Sequence, residues 1–219
     1  MSVDAGPDVP IRIWSRAARL YDLQLPLERR ALDAAVELAG AGRDDRLIDV
    51  ATGTGGLLRR LAAATTRPDR AVGVDASESM LERVPSLPAG WELTHADARA
   101  LPFPDASFDV ATACYLLHLL SPASRNQVLR EVARVLRADG RLVVVTPAEP
   151  RTRVMRVLAA PVLTLARRSS GTLAGLRPLD PTRALRDAGF AARSARRAVA
   201  IPLSTCVLAQ RTRQPPPPH

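Results

Sequence analysis

The segment Asp49-Val50-Ala51-Thr52-Gly53-Thr54-Gly55-Gly56 is the most informative part of this sequence for its fold. It follows the short run Arg46-Leu47-Ile48, which predicts a buried strand, and precedes Leu57-Leu58-Arg59-Arg60-Leu61, which has helical spacing. Glycines between a parallel strand and a helix let the backbone turn sharply, and they let a ligand lie against bare amides. Asp75, after the next predicted strand, supplies a second carboxylate. The two acids and the loop predict a site for a ligand with both an amine and hydroxyl groups.

From Arg46 onward, short apolar segments alternate with amphipathic helical segments. The predicted strands are Leu47–Val50, Ala71–Val74, Trp91–Ala96, Phe108–Cys114, Arg141–Thr146, Ala198–Pro202 and Thr205–Ala209. The predicted helices are Ile11–Leu20, Leu27–Ala39, Gly56–Ala64, Glu78–Val84 and Pro122–Leu136, and a last one that opens at Asp180-Pro181 and closes at Gly189. This repetition predicts a parallel sheet covered on both faces, with the last two strands antiparallel to each other.

Composition narrows the class of protein. A chain of 219 residues with 47% apolar residues predicts one domain with a packed core. The net charge of +9 favours an anionic partner, but all 31 basic residues are arginine and they are spread along the whole chain. That pattern indicates a coding bias rather than a surface for nucleic acid. An aromatic content of 3% also argues against base stacking on single strands.

The two cysteines do not indicate a metal site, and the amino-terminal residues do not indicate export. Cys114 and Cys206 lack metal-ligand spacing and are expected to be buried small side chains, so no metal is predicted. Residues 1–10 are acidic and contain proline, without the pattern of a signal peptide. No uncharged apolar run reaches the roughly 20 residues that span a bilayer. The sequence therefore predicts a cytoplasmic protein without a transmembrane segment.

Four successive predicted strands end in groups suited to a ligand, at the edge where open parallel sheets bind. With these motifs the chain resembles class I S-adenosylmethionine-dependent methyltransferases, in the group of ubiquinone/menaquinone C-methyltransferases and bacterial phospholipid N-methyltransferases. The matching segments are Leu47–Gly55, Gly73–Leu81, Asp97–Phe103 with Phe108–Val110, and Glu131–Leu136. The first glycine of the family's usual loop is Ala51 here.

The resemblance implies an α/β, Rossmann-like class I methyltransferase fold. Its sheet would have seven mostly parallel strands with an antiparallel last strand, and helices would cover both faces. It implies one methyltransferase domain over residues 11–211, with an N-terminal helical lid at 11–44 and a cap insertion at 148–178. Residues 1–10 and the proline-rich tail 212–219 are expected to be disordered.

The resemblance also implies S-adenosyl-L-methionine as the cofactor. Asp75 is then expected to accept hydrogen bonds from both ribose hydroxyls, Asp49 to hold the methionine ammonium and Asp97 to accept from the adenine amino group. The other residues expected to contact the cofactor are Tyr21, Ala51, Gly53, Thr54, Gly55, Ala76, Met80, Ala98 and Cys114.

The sequence defines the binding site of the methyl acceptor less clearly than that of the cofactor. A sulfonium methyl group is already activated, so a base is optional, and His118 and Tyr115 are the candidate catalytic residues. His118 could instead be an ordinary helix residue, and Tyr115 a core residue. Val154–Ala166 is either a plain helical cap or a lid over a lipophilic acceptor, with peripheral membrane contact through neighbouring arginines.

Three other functions remain open at this point. A nucleic-acid methyltransferase is disfavoured because Ala113–Leu116 lacks the Asn/Asp-Pro-Pro-aromatic run of enzymes that methylate base amines. A nicotinamide dehydrogenase is disfavoured because Leu58 stands where its third loop glycine belongs. A cofactor-binding relative that no longer transfers methyl groups has the same motifs. A small-molecule acceptor is the favoured partner, and neither its identity nor the oligomeric state follows from the sequence.

Overall fold

A computed structural model describes Asp8, residues 25–150, the single positions 153, 157, 160, 161, 164 and 165, and residues 176–198 and 203–212. The strands are β1 Arg46–Val50, β2 Arg70–Asp75, β3 Trp91–His95, β4 Phe108–Cys114, β5 Leu136–Pro147, β6 Phe190–Ala198 and β7 Ser204–Arg211. The helices are α1 Leu25–Ala39, α2 Gly56–Ala63, α3 Glu78–Leu81, α4 Pro122–Val135 and α5 Thr182–Asp187, with a 3-10 turn at Leu117–Leu119. The predicted helix Ile11–Leu20 lies outside the described residues.

The seven strands form one sheet in the order β3-β2-β1-β4-β5-β7-β6. All neighbouring pairs from β3 to β5 are parallel, and β7 is antiparallel to both β5 and β6. This confirms the predicted seven-stranded, mostly parallel sheet with an antiparallel last strand. The strand order reverses between β1 and β4, so the crevice beyond their carboxyl ends is the expected ligand site.

Each face of the sheet has its own buried cluster, because successive strand residues point to opposite sides. Leu47, Val110 and Val143 pack in the cluster that contains the apolar residues of α1 and α2. The cluster on the other face contains Ile48 and Ala111 together with the apolar residues of α4 and α5. Helices thus cover both faces, as predicted.

Helix α1 is amphipathic, and its buried residues recur every three to four positions: Ala31, Leu32, Ala35, Leu38 and Ala39. It begins at Leu25, two residues before the predicted start, and it includes Pro26. Proline is tolerated in the first helical turn because its missing N–H has no partner there. The helix ends at Ala39, and Gly40 directly after it has a left-handed φ of 50°.

The carboxyl-terminal strands differ from the prediction. We predicted a strand at Ala198–Pro202, but β6 spans Phe190–Ala198. Residues 199–202 lie outside the described part of the chain. The sequence of β6 contains several arginines and no apolar run, because an edge strand exposes polar side chains on both faces. The usual sequence signal of a buried strand was therefore missing. β5 begins at Leu136 rather than Arg141, and the predicted turn Asp139-Gly140 forms an irregularity within it.

No helix among the residues that the structure describes is long and apolar enough to cross a bilayer. Cys114 and Cys206 are both free cysteines.

Candidate functional site

The loop after β1 contains three left-handed backbone conformations within five residues. The φ angles are 58° at Ala51, 56° at Gly53 and 77° at Gly55. Glycine adopts this region without steric cost, whereas alanine does so only with strain. A side chain at Gly55 would place its Cβ 2.8 Å from Cγ1 of Val84. The loop therefore needs its glycines both for their backbone angles and for close packing.

This loop is fastened to β2. The amide of Thr52 donates to the carbonyl oxygen of Val74 at 2.9 Å, and the amide of Gly53 donates to Oδ2 of Asp75 at 2.8 Å. The other carboxylate oxygen, Oδ1 of Asp75, accepts from the amide of Ser77 at 2.9 Å. Because each carboxylate oxygen has a further lone pair, Asp75 retains acceptor capacity for ligand hydroxyls.

Asp49 is buried, with 1% of its surface exposed. Its Oδ2 accepts from the hydroxyl of Thr52 and its Oδ1 from the hydroxyl of Thr112, both at 2.7 Å. Burial raises the pKa of Asp49 to about 6, and the charge of Asp75 adds to this. A buried carboxylate becomes favourable when a cation pairs with it, so the surroundings of Asp49 suit a ligand ammonium.

Thr54 is fully buried, and its Oγ1 has no hydrogen-bond partner among the described residues. Buried hydroxyls without a partner are uncommon in proteins, and one that lies in a ligand loop suits a ligand contact. Ala76 is partly buried and Met80, on α3, is buried beyond the end of β2. These residues lie at the loop and at the end of β2, where the sequence placed them.

Asp97 follows β3 at the same edge of the sheet, and Ala98 beside it is partly buried. Both carboxylate oxygens of Asp97 accept from the guanidinium of Arg99, at 2.6 to 3.0 Å. This pairing lowers the pKa of Asp97. Arg99 also lies 3.6 Å from the carboxylate of Asp8. The predicted adenine contact of Asp97 would have to share its oxygens with Arg99.

Asp8 is the one described residue of the segment predicted to be disordered. Its Oδ1 accepts from the amide of Ser121 at 2.6 Å, and its Oδ2 accepts from the hydroxyl of Ser124 at 2.7 Å. Ser121 is the predicted N-cap of α4, and its side chain accepts from the amide of Ser124. This contact places Asp8 beside the expected adenine end of the site.

The end of β4 brings together the predicted acceptor-side residues. Tyr115 is buried with a φ of 56°, and its hydroxyl hydrogen-bonds the hydroxyl of Ser204 at 2.8 Å. The ring of His118 is buried and meets the ring of Tyr115 edge to face, with centroids 6.3 Å apart. Cys114 is partly buried, and burial raises the pKa of its thiol. Tyr21 lies outside the described residues, so its contact stays a prediction.

Two residues of this region were missed by sequence reasoning. Thr112 holds Asp49 from the neighbouring strand, and nothing in its local sequence indicates that contact. Glu28 lies buried in α1, with 4% of its surface exposed. A signal for Glu28 was present, since it is in helical register with the apolar residues Ala31, Leu32 and Ala35.

Comparison with known proteins finds sequence similarity to methyltransferases. Residues 47–140 match the family model described as "Methyltransferase domain". The chain is 34% identical over 148 residues to demethylmenaquinone methyltransferase of Thermotoga maritima. The aligned residues cover 65% of this chain and 63% of the relative. The chain is also 34% identical over 155 residues to the ubiquinone/menaquinone biosynthesis C-methyltransferase UbiE of Geobacter sulfurreducens, covering 66% of this chain and 60% of the relative. The matched region is thus less than two thirds of the length of either relative.

Solved structures have the same fold at low sequence identity. A SAM-dependent methyltransferase from Aquifex aeolicus has a TM-score of 0.68 at 17% identity, covering 90% of this chain and 97% of that chain. The [4+2]-cyclase SpnF has a TM-score of 0.67 at 18% identity, covering 95% of this chain and 97% of that chain.

Proposed function

We propose that this chain, whose residues 47–140 match a methyltransferase domain model, is a class I S-adenosylmethionine-dependent methyltransferase that transfers a methyl group from S-adenosyl-L-methionine to a small apolar acceptor. One observation carries this proposal. Asp49 and Asp75 lie at the carboxyl ends of the neighbouring strands β1 and β2, and the loop after β1 has three left-handed residues. Two acids in that arrangement suit a ligand with an ammonium at one end and a diol at the other.

The residues present fit this cofactor. Asp49 would hold the methionine ammonium, since its buried carboxylate has two hydroxyl donors and no described cationic partner. Asp75 would accept from the ribose hydroxyls, and Thr54 offers a buried hydroxyl to the same ligand. When bound, the cofactor supplies a methyl carbon that its positively charged sulfur makes electrophilic.

The protein's own contribution is to bind, orient and exclude water. Holding the acceptor atom about 3–3.5 Å from the methyl carbon replaces a bimolecular encounter with a positioned one. We expect the acceptor at the end of β4, beside Cys114 and near the Tyr115 ring, which its hydrogen bond to Ser204 holds in place. The left-handed φ of Tyr115 directs the chain away from the sheet at this point.

We further propose a quinone-type acceptor in its reduced, hydroquinone form. The names of the two curated relatives support this substrate class, and so does the apolar character of the cap segment Val154–Ala166. Within that segment, Val157 and Leu165 expose 66% and 57% of their surfaces. Exposed apolar side chains suit a segment that covers an apolar ligand or touches a membrane surface.

We propose a cytoplasmic location, which the two free thiols are compatible with. Cell fractionation with a salt wash tests this location and peripheral membrane contact together. Recovery in a periplasmic or secreted fraction would contradict the location, and recovery in the supernatant before any salt wash would contradict the membrane contact.

The deciding experiment has two stages. Calorimetry with S-adenosylhomocysteine, and with NAD as the control ligand, tests the cofactor, and we expect heat from the first alone. Methyl-labelled cofactor is then incubated with a naphthohydroquinone acceptor and, in parallel, with cell extract, and products are identified by mass spectrometry. Binding without label in any product would exclude methyl transfer and favour another use of the cofactor. Label in RNA alone would exclude the small-molecule acceptor.

A further inference from the structure

Glu28 is a buried carboxyl group, with 4% of its surface exposed. It lies in the first turn of α1, at a position that the helix pattern assigns to an apolar side chain. Its Oε2 has no hydrogen-bond partner among the described residues. Burial of a carboxyl oxygen without a partner destabilises a protein, so a residue kept in this state calls for an explanation beyond packing.

The position of α1 on the sheet places Glu28 at the ligand-binding edge. At the far end of α1, the guanidinium of Arg141 donates to the carbonyl oxygen of Ala39 at 2.7 Å. Nearer its start, the carbonyl oxygen of Ala31 accepts from Sγ of Cys206, which is paired with Val145 close to the end of β5. Glu28 precedes Ala31 by three residues, about 4.5 Å along the helix axis toward the carboxyl-end edge of the sheet. This places Glu28 near the end of β4, whose last residue, Cys114, pairs with Val145.

Glu28 also lies on the same face of the sheet as Asp49. Asp49, Thr112 and Cys114 alternate onto the face that α1 covers. The charges of Asp49 and of Glu28 both contribute to the raised pKa of Cys114, and that of Glu28 also contributes to the raised pKa of Tyr115. Glu28 is therefore close to the end of β4, on the side where the acceptor is expected.

We propose that Glu28 is the general base of the methyl transfer and removes the proton from an ionisable hydroxyl group of the acceptor. This inference rests on the function proposed above. It restricts the acceptor to molecules with an acidic hydroxyl, such as hydroquinones and phenols, and disfavours acceptors without an ionisable proton.

The step balances without a further reactant. The acceptor O–H bond breaks, and Glu28 takes the proton as its carboxylate becomes a carboxylic acid. The electron pair of the acceptor forms the new bond to the methyl carbon, at the oxygen or at a conjugated ring carbon. The carbon–sulfur bond breaks with its electron pair on sulfur, which leaves a neutral thioether. Transfer to a ring carbon first gives a ring ketone. That carbon then loses its proton to solvent and the ketone oxygen takes up a proton from solvent, which restores the aromatic ring and its hydroxyl group.

Burial raises the pKa of Glu28 to about 7, where a general base is most effective in neutral solution. The pKa of Asp49, on the same face of the sheet, is raised to about 6, and that carboxylate is expected to pair with the cofactor ammonium. Burial also raises the pKa values of the neighbouring Tyr115, Cys114 and Cys206, so these three groups are uncharged at that pH.

The charged groups of the other elements that pack on α1 contact it elsewhere. Arg141 of β5 reaches its last turn, and Arg196 of β6 pairs with Glu37. Arg60 of α2 pairs with Asp33. These contacts lie one or more helical turns away from Glu28.

The test compares Glu28→Gln with Glu28→Asp and with Glu37→Gln, a control on the exposed part of the same helix. Affinity for S-adenosylhomocysteine is measured first, and we expect it to change by less than about threefold in all three variants. If the wild-type protein does not bind that ligand, the proposed function fails, and this outcome is distinct from failure of the base.

Activity with the naphthohydroquinone is the second measurement. We expect kcat to fall about 10²- to 10⁴-fold in Glu28→Gln, with loss of the rise in rate near pH 7 and partial recovery in Glu28→Asp. Glu37→Gln is expected to match the wild type. An unchanged rate and pH profile in Glu28→Gln overturns the proposal. The variant His118→Gln tests the other candidate base, and loss of the rise in rate near pH 7 in that variant alone also overturns the proposal.

A third measurement needs no turnover. The carboxyl of Glu28 is identified by its absence from the ¹³C-glutamate NMR spectrum of Glu28→Gln and titrated in the S-adenosylhomocysteine complex. We expect a midpoint near 7. A raised pKa means that Glu28 costs the folded state stability as pH rises from about 4.5 through 7. Glu28→Gln is therefore expected to raise Tm at pH 8 and not at pH 4. A midpoint near the ordinary value of glutamate overturns the proposal.

Discussion

The backbone amide of Gly53 donates a hydrogen bond to Oδ2 of Asp75 at 2.8 Å. The carboxylate that we expect to bind ribose hydroxyls thus also holds the loop that lies against the rest of the cofactor. Its second oxygen fixes the amide of Ser77 at the start of α3. Ligand binding and loop shape are therefore coupled through one side chain at the end of β2.

Replacing Asp75 with alanine should weaken both functions of this side chain. The amides of Gly53 and Ser77 would lose their acceptor, and each unsatisfied buried group costs about 1–3 kcal/mol. We expect a lower free energy of unfolding in urea and at least a roughly 100-fold loss of affinity for S-adenosylhomocysteine by calorimetry, about 2.7 kcal/mol. Asp105→Ala, on a side chain that is 78% exposed, is the control and should keep its affinity. Wild-type affinity in Asp75→Ala would rule out the assigned role.

Gly55→Ala should destabilise the protein and weaken cofactor binding. The new Cβ would lie 2.8 Å from Cγ1 of Val84, and the φ of 77° is strained for any side chain. The strain alone costs on the order of 1–2 kcal/mol. In the double variant with Val84→Ala the clash is relieved but the strain remains, so thermal unfolding should show partial recovery. Equal stability of Gly55→Ala and the wild type would contradict the observed loop conformation.

Cofactor affinity should depend on pH through Asp49. Burial raises the pKa of Asp49 to about 6, so below that pH the free protein carries a proton that the ligand ammonium must displace. Affinity for S-adenosylhomocysteine should be constant above about pH 7 and fall up to about tenfold per unit below pH 6. Calorimetry in buffers of different ionisation enthalpy should detect proton release on binding near pH 6. Asp49→Asn should bind weakly and show no such dependence, and an unchanged dependence in that variant would exclude Asp49 as its source.

Arg134 of α4 should be required for the segment that joins β3 to β4. Its guanidinium donates to the carbonyl oxygens of Leu101 and Phe103 and to the carboxylate of Glu131. A lysine cannot reproduce this planar set of donors, so Arg134→Lys should lower the free energy of unfolding by about 1–3 kcal/mol. Arg130→Lys is the matched control, because the Arg130 side chain donates to the carbonyl oxygen of Asn126 on its own helix. Equal unfolding curves for the two variants would show that these bonds contribute little.

Much of the fold was predictable because its signals are local. The predicted bounds of β4 agree with the structure, and Ser121 caps α4 as expected. A buried parallel strand appears as an apolar run, and a cap or a left-handed turn selects particular residue types. Edge strand β6 was placed too late because its exposed arginines have no such run.

The candidate site was predictable only in part. The positions of Asp49 and Asp75 follow from strand ends that meet at one edge of a parallel sheet. The pairing of Asp97 with Arg99 does not follow, because either residue could equally have faced solvent or ligand.

The sheet, its glycine loop and the acids at its strand ends could be predicted from the sequence, because backbone conformation and hydrophobic periodicity depend on residues close in the chain. The hydrogen bond between Thr112 and Asp49, across 63 positions, and the burial of Glu28 by α1 near the end of β4 became visible in the folded chain. Such contacts join residues that are distant in sequence, and the burial that raises their pKa values exists only once the helices have packed on the sheet.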